Sequence, residues 1–74
     1  MKFKKKNIGQ RVQLKRDRIF GFKAGDIGTI KDVSGAGYAV HFDIARNGWG
    51  CKSLGIPYLH GLCVSPEDLR KVQE

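Results

Sequence analysis

Two cysteines, Cys51 and Cys63, are too few for the disulfide framework that small secreted domains depend on. No apolar run approaches the roughly 18 residues of a membrane span. Nor does an apolar signal segment follow the basic start Met1-Lys2-Phe3-Lys4-Lys5-Lys6. The expectation is a cytoplasmic protein with free thiols and no membrane association. Strong helix formers occur only in modest runs, whereas glycine supplies 10 of 74 residues, which favours turns and short strands. The pair Gly25-x-x-Gly28 lacks the Gly-Lys-Ser/Thr ending and the following helix of a phosphate loop. There is no internal repeat and no low-complexity tract.

Acidic residues are also scarce, 7 against 14 basic ones, for a net charge of +7. Residues 1–24 hold nine basic side chains against Asp17 alone, and the rest of the chain is close to neutral at −1. A one-sided positive field attracts polyanions and speeds their encounter. For Lys4, Lys5 and Lys6 the alternative is a solubilising tail. A chain this short buries only about 60% of the surface its unfolded form exposes, so it builds one small core and no large enclosed pocket. The division expected is a basic extension over residues 1–8 and one all-β domain over 9–74.

Val12 and Leu14 alternate with Arg11, Gln13 and Lys15, which gives a first strand with a basic outer face. Gly25 to Asp43 reads as a hairpin, with Ile30, Val33, Val40 and Phe42 as core and Ser34-Gly35-Ala36-Gly37 as its turn. Residues 16–25 form a longer connection with Phe20 and Phe22 on either side of Gly21. Either ring can close the end of the core or stand exposed beside Arg18 and Lys23. Residues 44–60 contain Gly48, Gly50, Gly55 and Pro57, which argues against regular structure through that stretch. Within it Trp49, between two glycines, is either a lid over the core or a surface anchor. Gly61 to Val64 reads as a short strand. Ser65 is placed to cap a 3-10 turn begun by Pro66, and Leu69 to Val72 is the last strand.

Gly9-x-Arg11-Val12, Gly25-Asp26-x-Gly28-Thr29-Ile30, Tyr38-x-Val40-x-Phe42-Asp43 and Val64-Ser65-Pro66-Glu67-Asp68-Leu69 together resemble SH3-like small barrels of the KOW kind. Gly48-Trp49-Gly50 and Gly55-Ile56-Pro57-Tyr58-x-His60-Gly61 are similar to segments of short phage and prophage proteins of that class. The resemblance covers nearly the whole chain from residue 9. It implies a five-stranded SH3-like barrel with one short 3-10 turn before the last strand. It also implies binding through the loops at one end and the exposed strand face, here Lys15 to Lys23 and Arg46 to Trp49.

Catalysis finds no constellation. Ser34, Ser53 and Ser65 sit in no nucleophile elbow, and neither Cys51 nor Cys63 makes a convincing pair with His41 or His60. Cys51, His60 and Cys63 are suitable zinc ligands, but a Cys-x-x-Cys knuckle is missing, and idle thiols are the competing reading. No enzyme activity, metal or cofactor is expected. The leading expectation is binding of nucleic acid, DNA or RNA, with little sequence specificity. It would act through Lys4, Lys5, Lys6, Arg11, Lys15, Arg16, Arg18, Phe20, Phe22, Lys23, Arg46 and Trp49. The alternative is a protein-interaction module, such as a phage-encoded modulator of host or defence machinery.

Overall fold

The computed structural model describes residues 8–34 and 37–72, so Lys4, Lys5 and Lys6 lie outside the described residues. The described chain is all-β. Its strands are β1 (Arg11–Leu14), β2 (Ile27–Ser34), β3 (Gly37–Phe42), β4 (Trp49–Cys51), β5 (Ile56–Val64) and β6 (Leu69–Lys71). They form one sheet in the order β4-β5-β3-β2-β1-β6, antiparallel at every pairing. No helix among the described residues is long and apolar enough to cross a membrane.

Period two decides which side of each strand is dry. Val12 and Leu14 on β1, Tyr38, Val40 and Phe42 on β3, Leu62 and Val64 on β5 and Leu69 on β6 all bury in one cluster with Ile30 of β2. The register of β2 against β3 shifts between Ile30 and Asp32. This bulge at Lys31 lets Ile30 and Val33, three residues apart, both turn toward the core, where Val33 is partly buried. The chain extends 26 × 26 × 25 Å, whereas flat sheets stack only about 10 Å apart. The sheet therefore curls on itself around the cluster. Gly28 permits the close approach of β2 to β3, because a Cβ there would lie 2.6 Å from the His41 carbonyl oxygen.

Three expectations need correction. There are six strands among the described residues, not five, and β5 begins at Ile56, not Gly61. The glycines of residues 44–60 build a second hairpin. Gly50 takes the Tyr58 backbone against it within β4, and Gly55, at φ 71°, closes the 3-10 turn Lys52–Leu54 by donating its N–H to the Lys52 carbonyl at 3.1 Å. Pro57 is tolerated because β3 pairs with β5 only from Gly61 onward. Second, 3-10 turns also form at Ile19–Gly21 and Lys52–Leu54, besides the expected one at Pro66–Asp68. Third, Ser65 makes no side-chain capping bond. Its carbonyl accepts from the Asp68 N–H at 3.0 Å, and Pro66 alone provides the helical start.

Phe22 enters the core from a loop, fully buried, with its ring 4.7 Å from that of Phe42 and tilted by 34°. Truncating a buried phenylalanine costs about 3 to 5 kcal/mol, comparable to the whole stability of a small domain. Phe22→Ala is therefore expected to lose cooperative unfolding by circular dichroism at 25 °C. A variant melting within a few degrees of wild type would show that the loop is not anchored through this ring.

Candidate binding face

The ladders align one residue from each of five strands. Arg11 of β1 stands opposite Thr29 of β2, Thr29 opposite His41 of β3, His41 opposite Gly61 of β5, and Gly61 opposite Trp49 of β4. The chain neighbours Val12, Ile30, Val40 and Leu62 point into the core, so this row lies on the outer face of the sheet. Gly61 makes room for the indole, since a Cβ on it would sit 2.6 Å from Trp49 Cε3. The half-buried Trp49 ring thus lies over Gly61 of β5.

Polar groups complete the row. Arg11 Nη1 donates to Thr29 Oγ1 and to Asp43 Oδ1, each at 2.9 Å, and its other nitrogen pairs with Asp43 Oδ2. These bonds hold the Asp43 carboxyl below its ordinary pKa against the opposing effect of burial. His60 Nδ1 lies 2.7 Å from the Phe42 carbonyl oxygen. A carbonyl only accepts, so Nδ1 carries the hydrogen and Nε2 of the neutral ring keeps its lone pair. The His41 and His60 rings meet edge to face at 5.4 Å. Burial, then His60 and Lys31, push the His41 pKa down against the pull of Asp43, which favours the neutral imidazole.

The arginines expected as binding residues are held by aspartates. Arg16 Nε and Arg18 Nη1 hold the two oxygens of the buried Asp68 at 2.9 and 3.1 Å. Arg46 grips Asp26 through Nε at 3.2 Å and Nη2 at 3.1 Å, and the Lys23 N–H donates to the same carboxylate at 3.1 Å. Burial would raise the Asp26 pKa, but Arg46 and the Lys23 N–H outweigh it and hold it below the ordinary value. Sequence reading missed these partners, although Asp26, Asp43 and Asp68 were the available signal. Lys15 and Lys23 are exposed and make no ion pair within 4 Å among the described residues.

The two irregular stretches meet at one end of the sheet. The Asn47 N–H donates to the Phe20 carbonyl at 2.9 Å, and Arg46–Asp26 joins the same two segments. Of the two phenylalanines Phe22 is core, which corrects its expected role as a contact residue, while Phe20 stands 49% exposed. Cys51, His60 and Cys63 do not converge. Cys51 pairs with the Ser53 hydroxyl at 3.1 Å, Cys63 is exposed on β5 opposite Ala39, and His60 faces His41. Among the described residues no three His, Cys, Asp or Glu side chains gather as a metal-ligand set. An open, largely apolar cleft of about 390 Å³ lies along β4 and β5, lined by Gly50, Cys51, Lys52, Ile56, Pro57 and Tyr58.

The histidine and carboxylate shifts have the same sign for stability. Folded His41 titrates below its ordinary 6.5, so its contribution is complete above that value and is lost as pH falls through the folded pKa. Asp26 and Asp43, lowered from 3.8, add a further loss only in stronger acid. Urea unfolding is expected to weaken between about pH 7 and pH 5, and His41→Gln to flatten that interval while leaving the acid limb. A pH profile unchanged by the substitution would remove His41 from this account.

No family model matches the chain, and neither does any curated protein or solved structure, so the meaning of this face rests on its own chemistry.

Proposed function

We propose that this chain is a small non-catalytic binding module for nucleic acid, acting in the cytoplasm through its outer sheet face and the loops at its end. In this reading the curled sheet is an SH3-like barrel of the KOW kind, enlarged by the β4–β5 hairpin. The observation that carries the proposal is the alignment of the half-buried Trp49 and Arg11 on one outer row of the sheet, with the exposed Lys15 and Lys23 in the loop that joins β1 to β2. Lysines supply salt-sensitive attraction to phosphates, and an aromatic ring offers a surface to any base. The described residues provide no recognition helix, so contacts with the backbone outnumber contacts that read base edges, and sequence preference is slight.

The test is fluorescence anisotropy with a labelled oligonucleotide across a salt series. Affinity is expected to fall steeply as salt rises. Lys15→Ala with Lys23→Ala is expected to reduce the slope of log K against log salt by about one to two. Trp49→Ala is expected to weaken binding by roughly tenfold at fixed salt. The lysines are the cleaner probe, because Arg16 and Arg18 also tie their loop to Asp68. Binding that is absent at low ionic strength, or indifferent to salt, overturns the proposal.

A second reading, a protein-interaction module of the phage-modulator kind, is favoured by the cleft beside Tyr58, which is 78% exposed. Pull-down from a nuclease-treated bacterial lysate separates the two. Recovery of one defined protein that survives nuclease and is abolished by Tyr58→Ala supports this reading, and recovery that nuclease removes rejects it.

A further inference from the structure

Phe20 has φ 63° and ψ 23°, in the left-handed region that residues other than glycine, asparagine and aspartate seldom occupy. Gly21 follows at φ 82°, so the turn needs two successive positive φ angles and the chain spends a glycine on only one of them. Burial does not compensate for the strain, since Phe20 is 49% exposed and Ile19 beside it 62%. The conformation persists because the surroundings determine it. The Arg18 N–H donates to the Phe22 carbonyl at 2.7 Å, the Asn47 N–H to the Phe20 carbonyl at 2.9 Å and the Ala24 N–H to Asp17 Oδ1 at 2.9 Å. The Phe22 ring, next but one, is fixed in the core. The result is an exposed aromatic ring on a rigid tip, with the exposed cations Lys15, Arg16 and Lys23 in the same loop. Strain of this kind, held in place by its neighbours and unrewarded by packing, marks residues that work through contact with something else.

Resting on the nucleic-acid reading above, we infer that Phe20 is a base-stacking residue and that the ligand is an unpaired strand. In a duplex both faces of every base are already covered by neighbours, and a ring on a short loop tip gains nothing there unless it unstacks a step. An unpaired strand offers free base faces, and its flanking phosphates match Lys15 and Lys23. The rigidity of the tip lowers the ordering cost of binding, so one ring carries a large share of the affinity.

The experiment compares a labelled 12-nucleotide single strand with the duplex of the same sequence, using wild type, Phe20→Ala and Phe20→Gly. Wild type is expected to bind the single strand at least tenfold tighter than the duplex. Both substitutions are expected to lose about 5- to 100-fold on the single strand and little on the duplex. Phe20→Gly, freed of strain, is expected to melt at or above the wild-type temperature while binding as poorly as Phe20→Ala. Equal affinity for both forms, a preference for duplex, or full single-strand binding by Phe20→Ala overturns the inference and leaves the nucleic-acid reading standing. A Phe20→Gly melting point well below wild type overturns it as well, by showing that the ring serves the fold. Absence of salt-sensitive binding to either form sinks the nucleic-acid reading itself.

Discussion

The placement of the Phe22 ring against Phe42 is the contact on which the junction of the two irregular segments depends. Neither neighbour of Phe22 is buried, so the ring is a single anchor driven into the core from an otherwise exposed loop. The other irregular segment packs on the same ring, because a Cβ on Gly48 would lie 2.9 Å from two of its carbons. One buried side chain thereby fixes the loop that carries Lys15 to Lys23 and the segment that leads into Trp49. The bonds from Asn47 to Phe20 and from Arg46 to Asp26 set their mutual position in detail. In a core this small an anchor of that kind cannot be replaced by other contacts.

Charge divides between two tasks along residue type. Arginine's planar fork suits it to hold a carboxylate through paired bonds, as Arg11 does with Asp43 and Arg46 with Asp26, while Arg16 and Arg18 share the two oxygens of Asp68. Two of these aspartates, Asp26 and Asp68, are buried, so the pairs there are less exposed to screening than surface pairs and act as fastenings between loop and sheet. Lysine, a hydrated point charge on a flexible stem, is left outward at positions 15 and 23. The described residues carry +4 of the net +7, because Lys2, Lys4, Lys5, Lys6 and Glu74 lie outside them.

Much of the fold was legible because alternation is a local signal. Val12 and Leu14, and Tyr38, Val40 and Phe42, lie where period two puts them, and the Pro66 turn is where its residues suggest. The β4–β5 hairpin was not legible. Gly48 and Gly50 read as breakers, yet they make room for the Phe22 ring and the Tyr58 backbone, as Gly61 does for the Trp49 indole, and nothing local distinguishes the two uses of glycine. Phe20 and Phe22 flank Gly21 symmetrically in sequence, and only the path of the whole loop decides which ring goes in. The row from Arg11 to Trp49 depends on four strand pairings at once, so register and not composition created it.

That row is itself close to neutral. Arg11 is balanced by Asp43, and His41 is pushed toward its uncharged form. In the proposed nucleic-acid reading it is not the source of long-range attraction, which would fall to the lysines of the adjoining loop, while the row would supply ring surface and hydrogen-bonding groups at short range. On that proposal slight sequence preference is expected, because neither a lysine on a phosphate nor a ring on a base face distinguishes one base from another. Proton uptake at His41 would add charge to the row while withdrawing stability from the sheet beneath it, so the face and the fold respond to mild acid in opposite directions.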